Sequence, residues 1–242
     1  QTAMEGRAAA PWKQYQIANG VTVRLACEPV TGASYGAVLD PSEGRTGGDA
    51  TAFGIYDRDS GQQVVDMHGR MPPDQAVKHA VTLCRQFNDA KFVPLITGNY
   101  SSLVVYANQN GYYNIWRRPL RQGEDGQGAS YRDRPWGFSE TGEQENMRSA
   151  FLHQVNAGIL WTPFREAQGD WFGYEWGSKE HKPDRTVCAA VFAAVRYSLP
   201  PGRIRGQSAP WEPRSGGQRL LASVGATGYA SHVAGLEGRP YA

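Results

Sequence analysis

The stretch 35–57 limits the possible folds of this chain more than any other, because it predicts two core strands joined by a glycine-rich loop. An apolar run at 35–39 is typical of a buried strand. Pro41 then ends that strand, since proline has no backbone N–H to donate to a sheet. A second strand is predicted at 51–57. Asp40 is therefore expected at the end of a strand in the core of a sheet.

Three acidic residues converge on the loop between these strands. Asp40 precedes the loop, and Glu43 and Asp49 lie within it. Carboxylates this close together repel one another and hold protons unless a cation joins them. Oxygen ligands of this kind favour Mg²⁺ or Mn²⁺. The sequence thus indicates a metal site around Asp40, and the alternative is a strand-end aspartate that caps a turn.

The rest of the chain alternates strands and helices, which predicts a mixed α/β sheet with helices packed on it. Further strands are predicted at 21–26, 63–67, 91–98 and 113–116, and helices at 72–87, 100–110, 140–158 and from 184 to 195. The aromatic segment 170–176 is expected to be a short strand or a loop. Short turns join the three strands between 35 and 67, so we expect them to form an antiparallel meander.

Residues 117–137 differ from the segments around them, because they combine arginines and glycines with no apolar periodicity. They predict a surface loop or β-hairpin. One interpretation is a solvated excursion, and the other is a basic arm that lies on the phosphates of a nucleic acid. The candidate phosphate-binding residues are Arg117, Arg118, Arg121, Arg132 and Arg134.

Composition excludes several classes of protein. The net charge of +2 over 242 residues is too small to indicate nucleic-acid binding by itself. The three cysteines lie far apart, which argues against a zinc or disulfide framework. The sequence has no apolar run of membrane-spanning length, no signal peptide and no P-loop motif. We therefore expect a soluble cytoplasmic protein, not secreted, with no membrane segment and no ATP site.

The expected domain organisation is a frayed N-terminus over 1–13, one domain over 14–199 and a tail over 200–242. The tail is rich in proline, glycine and arginine and has little apolar periodicity. Such a segment buries too little apolar surface to fold alone.

Six short segments, taken in order and spacing, resemble the nuclease domain of the large terminase subunit of tailed phages, a member of the RNase H-like superfamily. They are Val38-Leu-Asp-Pro-Ser-Glu-Gly, Gly48-Asp-Ala-Thr, Phe87-Asn-Asp-Ala-Lys, Thr97-Gly-Asn-Tyr, Gly111-Tyr-Tyr-Asn-Ile-Trp-Arg-Arg and Pro183-Asp-Arg-Thr-Val. The resemblance covers roughly 30–198. It implies an RNase H-like mixed sheet flanked by helices, with 117–137 as a surface hairpin or loop.

The resemblance also implies an activity, which is two-metal cleavage of double-stranded DNA with Mg²⁺ or Mn²⁺. By position, Asp40 would bridge both ions, Asp184 would hold one of them, and Asp49 would be an auxiliary ligand. In such proteins a separate ATPase domain drives packaging, which agrees with the missing P-loop here. The implied partners are that ATPase domain, the small terminase subunit and the portal, in the host cytoplasm.

One position departs from the family. Leu95 stands where the resemblance leads us to expect an acid at the end of the fourth strand of that fold. Asp170 or His181 either compensates for the lost carboxylate or lies on the surface. With one ligand missing, the second ion is expected to bind weakly and the nuclease to be impaired. The alternatives are a non-catalytic RNase H-like module that binds DNA or the portal, and an unrelated sugar- or nucleotide-binding domain.

Overall fold

A six-stranded sheet organises the computed structural model, which describes residues 10–17, 20–42, 49–96, 102–118, 136–139, 142–174 and 184–202. All of these residues belong to one unit spanning 1–205. The strands are β1 (Lys13–Gln16), β2 (Thr22–Leu25), β3 (Tyr35–Asp40), β4 (Thr51–Asp57), β5 (Gln63–Gly69) and β6 (Lys91–Pro94). Their spatial order is β1-β2-β5-β4-β3-β6.

The sheet is mixed, as predicted. Strands β3, β4 and β5 form the antiparallel meander, and β6 runs parallel to β3. Strand β2 pairs antiparallel with β5. The edge strand β1 was not predicted, because its residues Lys13–Gln16 are mostly exposed and so carry little apolar signal.

Five helices accompany the sheet in the part of the chain that the structure describes. They are α1 (Pro73–Gln86), α2 (Ser102–Gln109), α3 (Gln144–Asn156), α4 (Arg165–Gly173) and α5 (Asp184–Val195). The prediction of a strand or loop at 170–176 was wrong at its start, since that part is the end of α4. Ala167, Gln168 and Trp171 are buried at helical spacing, and they hold this short helix against the core. None of the helices in the described residues is long and apolar enough to cross a membrane.

The sheet separates two hydrophobic clusters. Ala37 and Leu39 of β3 pack on the side that carries α1 and α2. Val38 lies between them in sequence and packs on the other side, with residues of α3, α4 and α5. Because successive side chains of a strand point to opposite faces, Asp40 belongs to the side of Val38. We call this side the α5 face.

Helix α5 lies across β3 and β4 and runs antiparallel to β3. At the start of β3, a Cβ on Gly36 would stand 2.6 Å from Leu199 Cδ1 and 3.0 Å from Phe192 Cε2, so the residues at the far end of α5 approach this backbone closely. At the start of β4, the Cys188 thiol donates to the Ala52 carbonyl at 3.4 Å. The N-terminus of α5 therefore lies at the end of the sheet where β3 finishes.

The ends of the predicted excursion meet beside β6. Arg117 and Trp136 form an antiparallel bridge, and Leu95 forms a parallel bridge with Phe138. The Arg117 guanidinium carbon lies 3.3 Å from the centroid of the Trp136 ring, a cation–π stack. The closed base agrees with the predicted hairpin or loop, whose interior at 119–135 lies outside the described residues.

Candidate functional site

Asp40 is the last residue of β3 and stands in a row of side chains that crosses the sheet. It is paired with Ala52 of β4, and Ala52 is paired with His68 of β5. Directly paired residues on neighbouring strands point to the same face. Asp40 and His68 therefore share the α5 face, two strands apart, or about 9–10 Å. Both side chains are half-buried.

Leu95 continues this row on the other side of Asp40. Its N–H donates to the Leu39 carbonyl at 2.9 Å, just after the last paired residues of the parallel strands. This register places Leu95 beside Asp40. The Leu95 side chain is only 2% exposed and packs in the α5-face cluster with Trp116 and Phe138. An apolar side chain thus occupies the position where the family resemblance leads us to expect an acid.

The start of α5 lies over the same end of the sheet. Asp184 is the first residue of that helix, one turn before Cys188, which touches Ala52. Ala52 is the partner of Asp40 in the sheet. The main chain at Asp184 is therefore placed near the end of β3, while its side chain lies outside the described part of the structure.

A buried hydroxyl pair closes the loop that follows Asp40. The Ser42 N–H donates to Thr51 Oγ1 at 3.0 Å, and the two hydroxyl oxygens lie 2.9 Å apart. Thr51 Oγ1 also donates to the Met71 carbonyl at 3.3 Å. These bonds tie the exit of β3 to the entry of β4, and so hold the main chain on both sides of the glycine loop.

The other predicted site residues are less closely placed. Asp49 is exposed just before β4. Arg117 and Arg118 are half-buried at the base of the excursion. Within the described ranges, no group of three or more histidines, cysteines, aspartates or glutamates could hold a metal ion. The predicted or considered residues Glu43, Arg121, Arg132, Arg134 and His181 lie outside the described residues.

Beside the row of Asp40 lies a buried charge network that we call the Asp66 network. Asp66 of β5 is fully buried and accepts from Arg24 Nη1 at 3.0 Å and from Arg185 Nε at 2.9 Å. Arg185 Nη2 reaches the second Asp66 oxygen at 3.3 Å. Arg185 also donates to Asp170 of α4 at 2.8 Å, and Arg24 donates to Glu166 at 3.0 Å. The network joins β2, β5, α4 and α5.

These charges affect the ionisation of their surroundings. Burial first, then the positive charge of Arg185, lowers the pKa of His68 from 6.5 to about 4, against the opposing effect of Asp66 and Asp170. Burial alone would lower the pKa of Arg185, but Asp66 and Asp170 outweigh it and leave that pKa raised. At neutral pH, His68 is therefore an uncharged imidazole next to a permanently charged guanidinium.

Sequence reasoning missed the Asp66 network. A signal was present, since Asp66 interrupts the apolar strand 63–67, and an acid within a core strand needs a partner. The identity of that partner could not be predicted, because Arg24 and Arg185 lie 42 and 119 residues away. Asp170, considered above as a substitute ligand, is instead paired with Arg185.

Neither a family model nor a curated protein matches this sequence. Solved structures do match. The large terminase nuclease of the thermophilic phage G20c with bound zinc is similar over 81% of this chain and 98% of its own, with a TM-score of 0.55 and 12% identity. The same nuclease with bound magnesium gives a TM-score of 0.56 at 12% identity, over 79% and 96% of the two chains. The large terminase nuclease domain of Thermus phage P74-26 gives 0.53 at 13% identity, over 80% and 92%.

These matches establish the architecture of the chain. It has the RNase H-like fold of large terminase nuclease domains, with a mixed sheet flanked by helices. The resemblance inferred from six short segments of the sequence is thereby confirmed at the level of the fold.

Proposed function

We propose that this protein is the metal-dependent endonuclease domain of a phage DNA-packaging terminase, cutting double-stranded DNA. One observation carries the proposal: Asp40, at the end of β3, faces the side of the sheet where α5 begins with Asp184. Two acidic positions from distant parts of the chain thus come to one end of the sheet, within a fold shared with terminase nucleases solved with bound metals.

The donors at this end fit a hard divalent cation, because they are carboxylate oxygens. Asp40 and Asp184 would hold the metal, with Asp49 as an auxiliary ligand from the loop. Bound Mg²⁺ or Mn²⁺ would supply an activated water and neutralise charge on the leaving oxygen. Leu95 offers no ligand and excludes water from one side of Asp40, which agrees with a weak second ion and a slow enzyme.

The DNA would lie along the basic excursion. Its base is bridged to Leu95, so the arm begins beside the candidate site. The stack on Trp136 restrains the Arg117 guanidinium at that base. The phosphate contacts are assigned to Arg117, Arg118, Arg121, Arg132 and Arg134. In the complete packaging machine, the ATPase domain, the small subunit and the portal would be the protein partners, in the host cytoplasm.

Nicking of supercoiled plasmid with Mn²⁺ tests the activity. The wild-type protein should nick, and Asp40→Asn should lower the rate at least about a thousandfold, or ~4 kcal/mol in the barrier. Mn²⁺ should also raise the melting temperature of the wild-type protein, because an ion that binds only the folded state stabilises it. Asp40→Asn should lose that rise. An Asp40→Asn protein that still nicks and still responds to Mn²⁺ would contradict the assignment.

A second function, that of a non-catalytic DNA- or portal-binding module, is favoured by one observation, the buried Leu95 beside Asp40. It predicts no nicking by the wild-type protein at any Mn²⁺ concentration, with DNA or portal binding retained.

Binding to DNA should depend on salt and very little on sequence, because phosphate contacts release counterions and read no bases. Arg118→Gln should reduce the slope of log affinity against log salt by about one. Arg148 is an exposed arginine on helix α3, outside the excursion, and Arg148→Gln serves as the control. Equal slopes for the two variants, or a strong preference for one DNA sequence, would count against the basic arm.

A further inference from the structure

Arg185 is the point at which the start of α5 is fastened to the rest of the protein. It is the second residue of the helix, directly after Asp184. Its guanidinium binds Asp66 through two nitrogens, at 2.9 and 3.3 Å, and binds Asp170 at 2.8 Å. One side chain thus links the first turn of α5 to the sheet and to α4.

We propose that Asp66 is a positioning residue for the metal site: by holding Arg185, it fixes where α5 begins and hence where the main chain of Asp184 stands relative to Asp40. This inference rests on the proposed function, because it assigns Asp184 to the metal. It concerns a residue that touches neither the metal nor the DNA.

The sheet holds Asp66 and Asp40 in a fixed relation to each other. Asp66 is paired with Gly54 of β4, and Gly54 is paired with Val38 of β3. Val38 is two residues before Asp40, so the anchor of α5 and the candidate ligand stand in adjacent rows on the same face. A displacement of Arg185 would therefore shift the helix start against a fixed Asp40.

The chemistry of the contact between Arg185 and Asp66 favours a role in positioning over a role in stability alone. A buried ion pair adds little net stability over an apolar pair of similar size, because both charges lose their hydration. A guanidinium held by two nitrogens on two carboxylate oxygens fixes orientation as well as distance. Such a contact fixes the rotation of the first turn of α5 and its distance from the sheet. Packing of small apolar residues such as Ala189 and Ala190 restrains these two quantities less closely.

Arg24 offers a matched control. It binds the same Asp66 carboxylate at 3.0 Å, and Glu166 of α4 at 3.0 Å, but it belongs to β2. Arg24→Gln removes the positive charge of one of the two arginines that bind Asp66, and leaves the link between Asp66 and Arg185 in place. Arg185→Gln removes the same charge together with that link.

The test measures the melting temperatures of Arg185→Gln, Asp66→Asn and Arg24→Gln as the Mn²⁺ concentration is raised. We expect the first two to need about tenfold more Mn²⁺ for a half-maximal shift, the loss typical when a supporting contact of a metal ligand is removed. Arg24→Gln should melt earlier than the wild type but keep its Mn²⁺ requirement. In metal-free protein, amide exchange at 188–191 should accelerate in the first two variants and not in Arg24→Gln.

Arg185→Lys keeps the charge but loses the two-nitrogen contact, so it covers the case in which the other variants do not fold. It should also raise the Mn²⁺ requirement. The proposal would be overturned if Arg185→Lys needed no more Mn²⁺ than the wild type. It would also be overturned if Arg24→Gln and Arg185→Gln had equal effects on the Mn²⁺ requirement and on amide exchange. A wild-type protein that shows no Mn²⁺ shift would instead refute the proposed function, and amide exchange alone would then decide whether Arg185 fixes the helix start.

Discussion

The two ends of α5 are each held by a buried arginine, and the two arginines have opposite kinds of partner. At the start, Arg185 is paired with the carboxylates of Asp66 and Asp170. Just past the end, Arg196 is surrounded by neutral acceptors. Arg196 donates to the carbonyls of Arg58 at 2.6 Å, Asp59 at 2.8 Å and Ile159 at 3.2 Å, and to Gln154 Oε1 at 3.3 Å.

The pKa values of the two guanidiniums reflect this difference. Burial lowers the pKa of Arg196, and it stays lowered because nearby charges offset burial only in part. The pKa of Arg185 is raised, because its carboxylate partners outweigh burial. Backbone carbonyls anchor a helix end without adding a charge, whereas carboxylates tie the other end to a charged, ionisable environment. The end with charged partners is the end beside Asp40.

The largest effect is expected from breaking the Arg196 end with Gly61→Ala. A Cβ on Gly61 would stand 1.9 Å from the Ile159 oxygen and 2.7 Å from Arg196 Nη1, at a φ of +71°. We expect a loss of about 4 kcal/mol or more in the free energy of unfolding, from the clash and the strained backbone together. The Mn²⁺ requirement of the remaining folded protein should not change, since the start of α5 is untouched.

Gly158→Ala separates the two causes of that loss. Gly158 has a similar φ of +67°, but a Cβ there would meet nothing within 4 Å. It should cost only about 1–2 kcal/mol, the strain of a left-handed alanine. Urea unfolding curves of the two variants measure the difference, and equal losses would show that the close contacts with the Ile159 carbonyl and Arg196 have no weight.

The second effect concerns pH at the Arg185 end. The folded pKa of His68 is lowered from 6.5 to about 4, so the unfolded chain takes up a proton first as the pH falls. The stabilising effect of a neutral His68 is complete above pH 6.5 and is lost between there and about pH 4. It amounts to roughly 3 kcal/mol. Urea unfolding of His68→Gln should therefore show a flatter pH dependence than the wild type over this interval.

His153→Gln, at an exposed position of α3, is the control and should follow the wild-type pH profile. If His68→Gln followed it equally closely, His68 would not be held neutral by its surroundings. The Arg185 end would then be no more sensitive to acid than the Arg196 end.

The smallest effect is predicted for Leu95→Glu, which adds an acid to the end of the sheet that already holds Asp40. It should raise Mn²⁺-dependent plasmid nicking at least about tenfold, or 1.4 kcal/mol in the barrier. The gain should vanish in the double variant with Asp40→Asn, because a new carboxylate cannot bind the metal without its partner. The competing view treats Leu95 as an ordinary core residue, for which a buried glutamate costs several kcal/mol in stability. A variant that melts much earlier and nicks no faster would support that view.

Much of the fold could be predicted because local periodicity reports burial. The meander, β6 and the helices α1, α3 and α5 were predicted from alternating or helical apolar spacing. Two elements were not. Strand β1 is an exposed edge strand with little apolar pattern, and α4 is a short helix whose aromatic end resembles a strand. In both cases tertiary packing, and not propensity, selects the structure.

For the candidate site, the sequence by itself determined where Asp40 stands, since the apolar run 35–39 followed by Pro41 predicts the end of a strand there. It also indicated that Asp184 lies in the first turn of a helix, and the structure has it as the first residue of α5. Only the tertiary structure decided which charges are buried and with whom they pair. Asp66, Arg24 and Arg185 lie on three elements far apart in the chain, and a buried charge takes its partner from whatever the fold brings within about 3 Å. The support of the site is therefore a long-range property that local sequence patterns cannot express.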